Sequence, residues 1–131
     1  MTNYRFLRII TLVILIGISL SACIEGADAP AQTIELYYNA LTEKDQDRLV
    51  FLTCADHESM ALLEFDSFVS VETTLEDFSC QTISEDRDTA YVTCEGAISA
   101  SYQGEAREFP LNVQTFIVVK QGGEWLMCGY E

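Results

Sequence analysis

The sequence predicts an α+β domain in which N-terminal helices pack on a curved, cone-shaped antiparallel meander sheet. Three observations predict it. Apolar residues recur at helical spacing up to about residue 68. From about residue 71 they alternate with polar residues at period two, and polar or Gly-rich turns separate these later segments. Helices followed by a run of strands are typical of the α+β class.

The helical part of the chain predicts three helices. The first has an apolar face at i, i+3, i+4 and i+7, made by Ile34, Tyr37, Tyr38 and Leu41. Asp28 and Pro30 suit its start, and Asp45 suits the N-cap of a second, short helix. The third is predicted to begin at Asp56, with His57 facing solvent in its first turn. Its buried face is predicted to contain Ala61, Leu62, Phe65 and Phe68.

The rest of the chain predicts a strand meander. A first strand runs to about residue 83, and a polar turn over residues 84–88 closes its hairpin with the second. The second buries one face, made by Ala90, Val92, Cys94, Ile98, Ala100 and Tyr102. After a turn at residues 103–105, a third long strand buries Phe109, Leu111, Val113, Ile117 and Val119. A Gly-rich hairpin at residues 121–124 leads to the last strand.

The first 22 residues have the layout of an export signal. Arg5 and Arg8 precede an apolar run over residues 9–18, which is shorter than the ~20 residues of a comfortable membrane-spanning helix. The following Leu20-Ser21-Ala22-Cys23 resembles the lipobox of bacterial lipoproteins. The resemblance implies that Cys23 is lipidated and becomes the new N-terminus; an uncleaved membrane anchor is the alternative.

These signals predict the domain organisation and the location. Residues 1–22 are a lipoprotein signal peptide, residues 23–31 hold the lipidated Cys23 and a short tether, and residues 32–131 form a single α+β domain. The mature protein is therefore expected in the cell envelope, bound to a membrane through its lipid anchor and facing outside the cytoplasm. The sequence does not distinguish an inner from an outer membrane.

Four cysteines remain after Cys23, and an even number in an exported chain predicts disulfides. Cys80 and Cys94 lie on neighbouring strands about a hairpin centred at Arg87. The third strand separates Cys94 from Cys128 by about two strand spacings (~9.6 Å), which is beyond disulfide reach. The pairs predicted are Cys80–Cys94 and Cys54–Cys128.

A metal site is the alternative use of these cysteines. Cys54 and His57 have C-x-x-H spacing, but the chain has no C-x-x-C pair and no second His. We therefore expect no metal and no cofactor.

The charge of the mature protein excludes one class of partner. Without residues 1–22, five Lys and Arg residues stand against 21 Asp and Glu residues, a net charge of −16. Nucleic-acid binding requires clustered Lys and Arg to displace counterions, so no nucleic-acid partner is expected. The acidic residues are spread along the chain, which is typical of a solvated surface.

Two segments resemble a known superfamily. Tyr37-Tyr38-Asn39-Ala40-Leu41, followed by Asp45, resembles the opening helices of the nuclear-transport-factor-2-like superfamily, also called cystatin-like or SnoaL-like. Gly123-Glu124-Trp125, followed by Gly129, resembles the final strand of its small exported members, and the chain looks most similar to uncharacterised lipoproteins of this fold. The resemblance implies a cone-shaped fold. It leaves function open, because the superfamily contains isomerases, dehydratases, cyclases and non-catalytic binding modules.

The strand pattern predicts no catalytic set. Enzymes of this superfamily usually place an Asp, His or Tyr on the concave face of the sheet, whereas Glu95 falls on the opposite face here. An apolar pocket is expected instead, lined by Tyr38, Phe65, Val92, Ile98, Phe109 and Val113. The predicted function is non-catalytic binding of a small molecule or a protein partner. The alternative is an isomerase- or dehydratase-like enzyme, with Tyr38 or Tyr102 polarising a carbonyl and an acid such as Glu95.

Overall fold

The computed structural model describes residues 28–131, so the expected export signal and Cys23 lie outside the described residues. Within residues 28–131, no helix is both long enough and apolar enough to cross a membrane. Three helices come first: α1 (Ala29–Glu43), α2 (Gln46–Phe51) and α3 (Glu58–Phe68). Five strands follow: β1 (Glu72–Asp86), β2 (Thr89–Tyr102), β3 (Glu105–Pro110), β4 (Thr115–Gln121) and β5 (Glu124–Tyr130).

The strands form one antiparallel sheet, which confirms the α+β fold class. The strand order is β1-β2-β4-β5, and β3 pairs with the far end of β2. Because β2 is long, residues 89–93 pair with β4 and residues 97–102 pair with β3. The helices lie against the concave side, where α1 contacts four of the five strands.

Aspartate caps fix the starts of the first two helices. The Asp28 carboxylate accepts from the Ala31 N–H, and the Asp45 carboxylate accepts from the Arg48 N–H. Helix α1 therefore begins at Ala29, ahead of the domain start expected at residue 32. It ends at Lys44, whose left-handed backbone has φ 63°.

Side chains fill the interior of the cone. Large residues from both layers are fully buried there: Ile34, Tyr37, Tyr38, Leu41, Leu49, Val92, Ile98, Phe116, Val118 and Met127. The Tyr38 ring packs edge-on against Phe78 at 5.8 Å and against Phe116 at 5.6 Å. These aromatic contacts place the first helix tightly on the sheet.

The predicted third strand is wrong in its continuity and in its later buried face. The chain forms two strands, β3 and β4, separated by residues 111–114. In β4, Phe116 and Val118 are fully buried, whereas Ile117 and Val119 lie half-buried on the outer face of the sheet. Both faces of β4 are apolar, so alternation alone did not reveal its orientation, and the irregular segment before it changes the phase.

The protein has two disulfides: one joins the helical layer to the sheet, and the other joins the two strands of the first hairpin. Cys54, between α2 and α3, is bonded to Cys128 in β5, and Cys80 is bonded to its cross-strand partner Cys94. Both disulfides join the cysteines that were paired in the sequence analysis. Near the first disulfide, the Cys54 N–H donates to the Met127 carbonyl at 2.9 Å, so the helical layer is also hydrogen-bonded to β5.

Candidate functional site

The six side chains expected to line a pocket do not form one in residues 28–131. Tyr38, Phe65, Val92 and Ile98 are buried within the packed core. Phe109 is 38% exposed, and Val113 is 72% exposed because it lies in the irregular segment between β3 and β4. Four of the six expected residues thus belong to the packed core, and Phe109 and Val113 lie at the surface.

The carboxylate of Glu64, on α3, contacts two buried tyrosines of α1. The Tyr37 hydroxyl donates a hydrogen bond of 2.7 Å to Oε2 of Glu64. The hydroxyl of Tyr38 lies near the same carboxylate and accepts from Nε2 of Gln114 at 3.5 Å. We call Glu64, Tyr37, Tyr38 and Gln114 the Glu64 cluster.

Burial sets the protonation behaviour of the cluster. Burial raises the pKa of Glu64, and hydrogen bonds from Tyr37 and Tyr38 oppose that rise without cancelling it. The pKa values of both phenols are raised, first by burial and next by the charge of Glu64. The phenols therefore remain protonated donors at neutral pH, and the carboxylate is the group of this cluster that titrates.

Sequence reasoning missed Glu64 because the search for an acid was limited to the strands. The signal was present in α3. Ala61, Phe65 and Phe68 form its buried face, and Glu64 follows Ala61 by three residues, so its side chain borders that face. An acidic residue at such a position needs buried donors, which the two tyrosines of α1 provide.

His57 differs from its expected exposure. It is only 8% exposed, and its ring packs edge-on against Tyr130 at 5.8 Å. Burial lowers the pKa of His57, so the imidazole is neutral at neutral pH. Tyr130 at the end of β5 also lies close enough to Tyr37 and Tyr38 to influence their ionisation. Tyr130 therefore lies next to His57 on one side and near the tyrosines of the Glu64 cluster on the other.

The structure does not bring together the residues of the predicted enzyme alternative. Glu95 is exposed on the outer face of β2, as its parity predicted. Tyr102 lies at the far end of β2, beneath the guanidinium of Arg107, while Tyr38 is in the core. Within residues 28–131, no three His, Cys, Asp or Glu side chains are grouped closely enough to hold a metal ion.

Exposed apolar side chains lie on α3, on β3 and on the segments that follow them. Leu63 precedes Glu64 on α3, Val113 precedes Gln114, and the Phe68 ring packs on Phe109 at 5.3 Å. The contact of Phe68 with Phe109 places the end of α3 next to β3, and Glu64 and Gln114 both lie near the Tyr38 hydroxyl, which places α3 near the segment that follows β3. We call the exposed residues here the α3 surface: Met60, Leu63, Val69, Phe109 and Val113.

Helix α3 is acidic, and the cations near the α3 surface lie at its far end, where the Lys44 ammonium donates to the Phe68 carbonyl and Arg107 precedes Phe109 by two residues. Residues 49–86 contain no Lys or Arg, whereas α3 itself carries Glu58, Glu64 and Asp66. An apolar surface with acidic neighbours complements a partner that is apolar and basic.

Comparison with solved structures identifies the class of fold. A candidate ketosteroid isomerase from Shewanella frigidimarina NCIMB 400 is 15% identical with a TM-score of 0.56, covering 80% of this chain and 95% of that one. A candidate dehydratase of the NTF2-like family from Streptomyces avermitilis is 14% identical with a TM-score of 0.55, covering 79% and 92%. An uncharacterised protein with a cystatin-like fold from Caulobacter vibrioides is 13% identical with a TM-score of 0.55, covering 79% and 84%.

These similarities define a cone-shaped α+β domain, and within that class the fold is the NTF2-like, or cystatin-like, fold. Neither a protein-family model nor a curated protein sequence matches the chain. At identities this low, the likeness establishes the fold and leaves the function to the site.

Proposed function

We propose that the protein is a lipid-anchored domain outside the cytoplasm that binds a protein partner at the α3 surface and catalyses no reaction. The packed interior of the cone carries this proposal. Small-molecule sites are usually cavities of roughly 300–1,000 Å³. The corresponding space holds fully buried Tyr37, Tyr38, Phe116 and Met127, so binding on the outside of the domain is favoured.

The expected location agrees with the chemistry of the cysteines. Two disulfides indicate an oxidising environment outside the cytoplasm. Lipidation of Cys23 would hold the domain there, and it rests on the lipobox resemblance.

Replacement of Cys23 by Ser tests the anchor. The unaltered protein should partition with membranes in acylated form, and the Cys23→Ser variant should carry no acyl group, as measured by mass spectrometry of the membrane fraction. An acylated Cys23→Ser product would contradict the anchor and leave the binding proposal standing.

The partner class follows from the α3 surface. Met60, Leu63 and Val113 are each close to half exposed or more, and Asp66 is an exposed acid on α3. We assign to this surface a protein segment that presents apolar side chains together with Lys or Arg. Burial of the apolar groups supplies affinity, while the acidic surround selects the basic partner.

A synthetic amphipathic helix of Leu and Lys serves as the probe, and a helix of Leu and Glu with the same pattern is its control. The basic peptide should shift the amide NMR signals of α3, and Leu63→Ser should weaken binding by about tenfold. Phe51→Ser on α2 removes a side chain that is 73% exposed and lies outside the α3 surface, so it should leave binding unchanged. Equal binding of both peptides, or equal effects of both variants, would overturn the assignment.

The environment of Glu64 favours a second candidate function, which is acid–base catalysis. A carboxylate whose pKa is raised, beside two protonated phenols, has the composition of a proton-transfer site. Two of the fold neighbours are named as an isomerase and a dehydratase, which makes a β,γ-unsaturated ketosteroid a suitable probe. The binding proposal expects no absorbance gain from the conjugated enone. Turnover that Glu64→Gln abolishes would replace binding with catalysis.

A further inference from the structure

A cleft lies at the surface beyond the end of α3, outside the packed core, where β2 turns into β3. It has a volume of about 680 Å³ and is lined by Ser70, Val71, Ser101, Tyr102, Gln103, Glu105 and Arg107. We call it the Arg107 cleft. Arg107 is paired with Ala100 across the β2–β3 ladder, and directly paired residues share a face. Since Ala100 is fully buried on the inner side, Arg107 lies on that same side.

Arg107 is held by an aromatic ring and leaves its donors available. Its guanidinium carbon lies 5.7 Å from the centre of the Tyr102 ring. In residues 28–131 the one ion pair between a cationic and an acidic side chain joins Arg48 to Glu43, so Arg107 has no carboxylate within 4.0 Å. A guanidinium at this distance from an aromatic ring makes a cation–π contact, and its N–H groups can still bind an anion in a bidentate manner.

A second cation lies next to the Arg107 cleft. The Lys44 ammonium donates to the Phe68 carbonyl at 2.6 Å and to the Thr73 hydroxyl at 2.8 Å. The same Phe68 carbonyl accepts from the N–H of Val71, which lines the cleft. Both cations therefore act on this end of a domain that is otherwise strongly acidic.

The other polar groups define what kind of anion fits. Ser70 and Gln103 offer hydroxyl and amide groups that donate and accept hydrogen bonds, whereas Ser101 lies on the face of β2 opposite to Ala100 and Tyr102. Glu105 is an acceptor that repels a second negative charge on the ligand and favours a ligand with hydroxyl donors.

We propose that the Arg107 cleft binds a small monocarboxylate that carries several hydroxyl groups, of the uronic-acid class. The carboxylate lies on the guanidinium edge of Arg107, and the ligand hydroxyls bind Glu105, Ser70 and Gln103. The cleft adjoins the α3 surface at Val69 and Phe109 but shares no lining residue with it, and the proposal does not depend on the function proposed there.

Glucuronate is the probe, with glucose as the neutral analogue and inorganic phosphate as the anion without a sugar body. Amide NMR signals are followed during titration of the oxidised protein. Arg107→Gln removes the anion-binding group, and Arg87→Gln removes the same charge from an exposed turn at the other end of the sheet.

Glucuronate should shift the signals of residues 70–71 and 101–107, and Arg107→Gln should weaken its binding by about tenfold or more while Arg87→Gln leaves it unchanged. Three results would overturn the proposal. The first is the absence of NMR shifts at those residues, and the second is equal affinity for glucose or phosphate. The third is an equal loss of affinity in Arg107→Gln and Arg87→Gln, which would show that only the net charge matters.

Discussion

The Tyr37 hydroxyl donates to Oε2 of Glu64 at 2.7 Å and thereby joins α1 to α3. Tyr37 is fully buried, so its hydroxyl needs a partner within the protein. Glu64 supplies it, and the carboxylate in turn receives a donor that compensates part of its lost hydration. The packing of the helical layer is therefore coupled to the ionisation of one side chain.

This coupling predicts the effect of Glu64→Gln on stability. In the folded protein the pKa of Glu64 is raised above its ordinary value of 4.5, so the folded state binds the proton more tightly than the unfolded chain. The free energy of unfolding of the unaltered protein should fall as pH rises from the unfolded pKa to the folded one. The amide that this substitution introduces still accepts from Tyr37 but does not titrate. The variant should therefore gain stability relative to the unaltered protein as pH rises, as measured by urea unfolding.

Tyr37→Phe is the matched test of the hydrogen bond. It removes the donor that opposes the rise of the Glu64 pKa, so the pH dependence should steepen. The stability at neutral pH should fall by about 1–3 kcal/mol, because a partly buried carboxylate oxygen loses its donor. If stability curves of the unaltered protein and of Glu64→Gln run parallel in pH, Glu64 has no raised pKa in the fold.

The helix starts and the first hairpin could be predicted from local chemistry. Asp28 and Asp45 are strong caps followed by apolar residues at helical spacing, and both caps occur in the structure. The pairing of Cys80 with Cys94 was predicted from a hairpin centred at Arg87, but the turn itself pairs Asp86 with Thr89, and a register shift between Thr82 and Ser84 is what brings Cys80 opposite Cys94.

The features that were missed depend on contacts between distant segments. The strand β4 has apolar residues on both faces, so only its pairing with β2 decides that Phe116 and not Ile117 faces the core. The burial of His57 requires Tyr130, from the other end of the chain. Glu64 becomes a buried acid only because Tyr37 approaches it from another helix.

Asp28 should contribute stability that depends on pH with the opposite sign. Burial raises its pKa, but hydrogen bonds from the side chain and backbone of Thr82 and from the Ala31 N–H outweigh this, so its pKa is lowered below 3.8. That stability is present above the unfolded pKa and is lost as pH falls through the folded pKa. Asp28→Ala should cost about 1–2 kcal/mol at neutral pH, as measured by urea unfolding.

Thr82→Val separates the two roles of Asp28. It removes the side-chain bond to β1 and leaves the N-cap bond to Ala31 in place. Asp28→Ala should therefore cost more than Thr82→Val, and the costs should not add in the double variant. Additive costs would show that the contact between Asp28 and the Thr82 side chain contributes nothing.

Gly96 should be the least replaceable glycine of the sheet. Its φ is +89°, and a Cβ there would clash with the backbone carbonyl oxygens of Glu76 and Asp77, at the irregular pairing of β1 with β2. Gly104 has a similar φ of +85° with open space around a Cβ. Gly104→Ala should cost about 1 kcal/mol for the backbone conformation alone, and Gly96→Ala about 2 kcal/mol more for the clash. Equal melting temperatures for the two variants would contradict the close approach of β1.

The two disulfides should differ in their contribution to stability. The Cys54–Cys128 crosslink spans 74 residues and the Cys80–Cys94 crosslink spans 14. In the chain-entropy model, these closures restrict the unfolded chain by about 4 and about 3 kcal/mol as upper values. Replacing Cys54 and Cys128 together by Ala should therefore lower the free energy of unfolding more than replacing Cys80 and Cys94.

The structure gives the long crosslink a second, local consequence that the short one lacks. Cys128 lies in β5, and the bonds of Cys54 N–H to Met127 and of Met127 N–H to Leu52 are the backbone hydrogen bonds that join the α2–α3 segment to that strand. Without the crosslink, these amides should exchange with solvent faster than those of β1 and β2. In the variant without Cys80 and Cys94, β1 and β2 remain paired along their length, so protection there should persist. Hydrogen exchange that accelerates equally throughout the domain would mean that Cys54–Cys128 acts on the unfolded chain alone and does not hold the helices to the sheet.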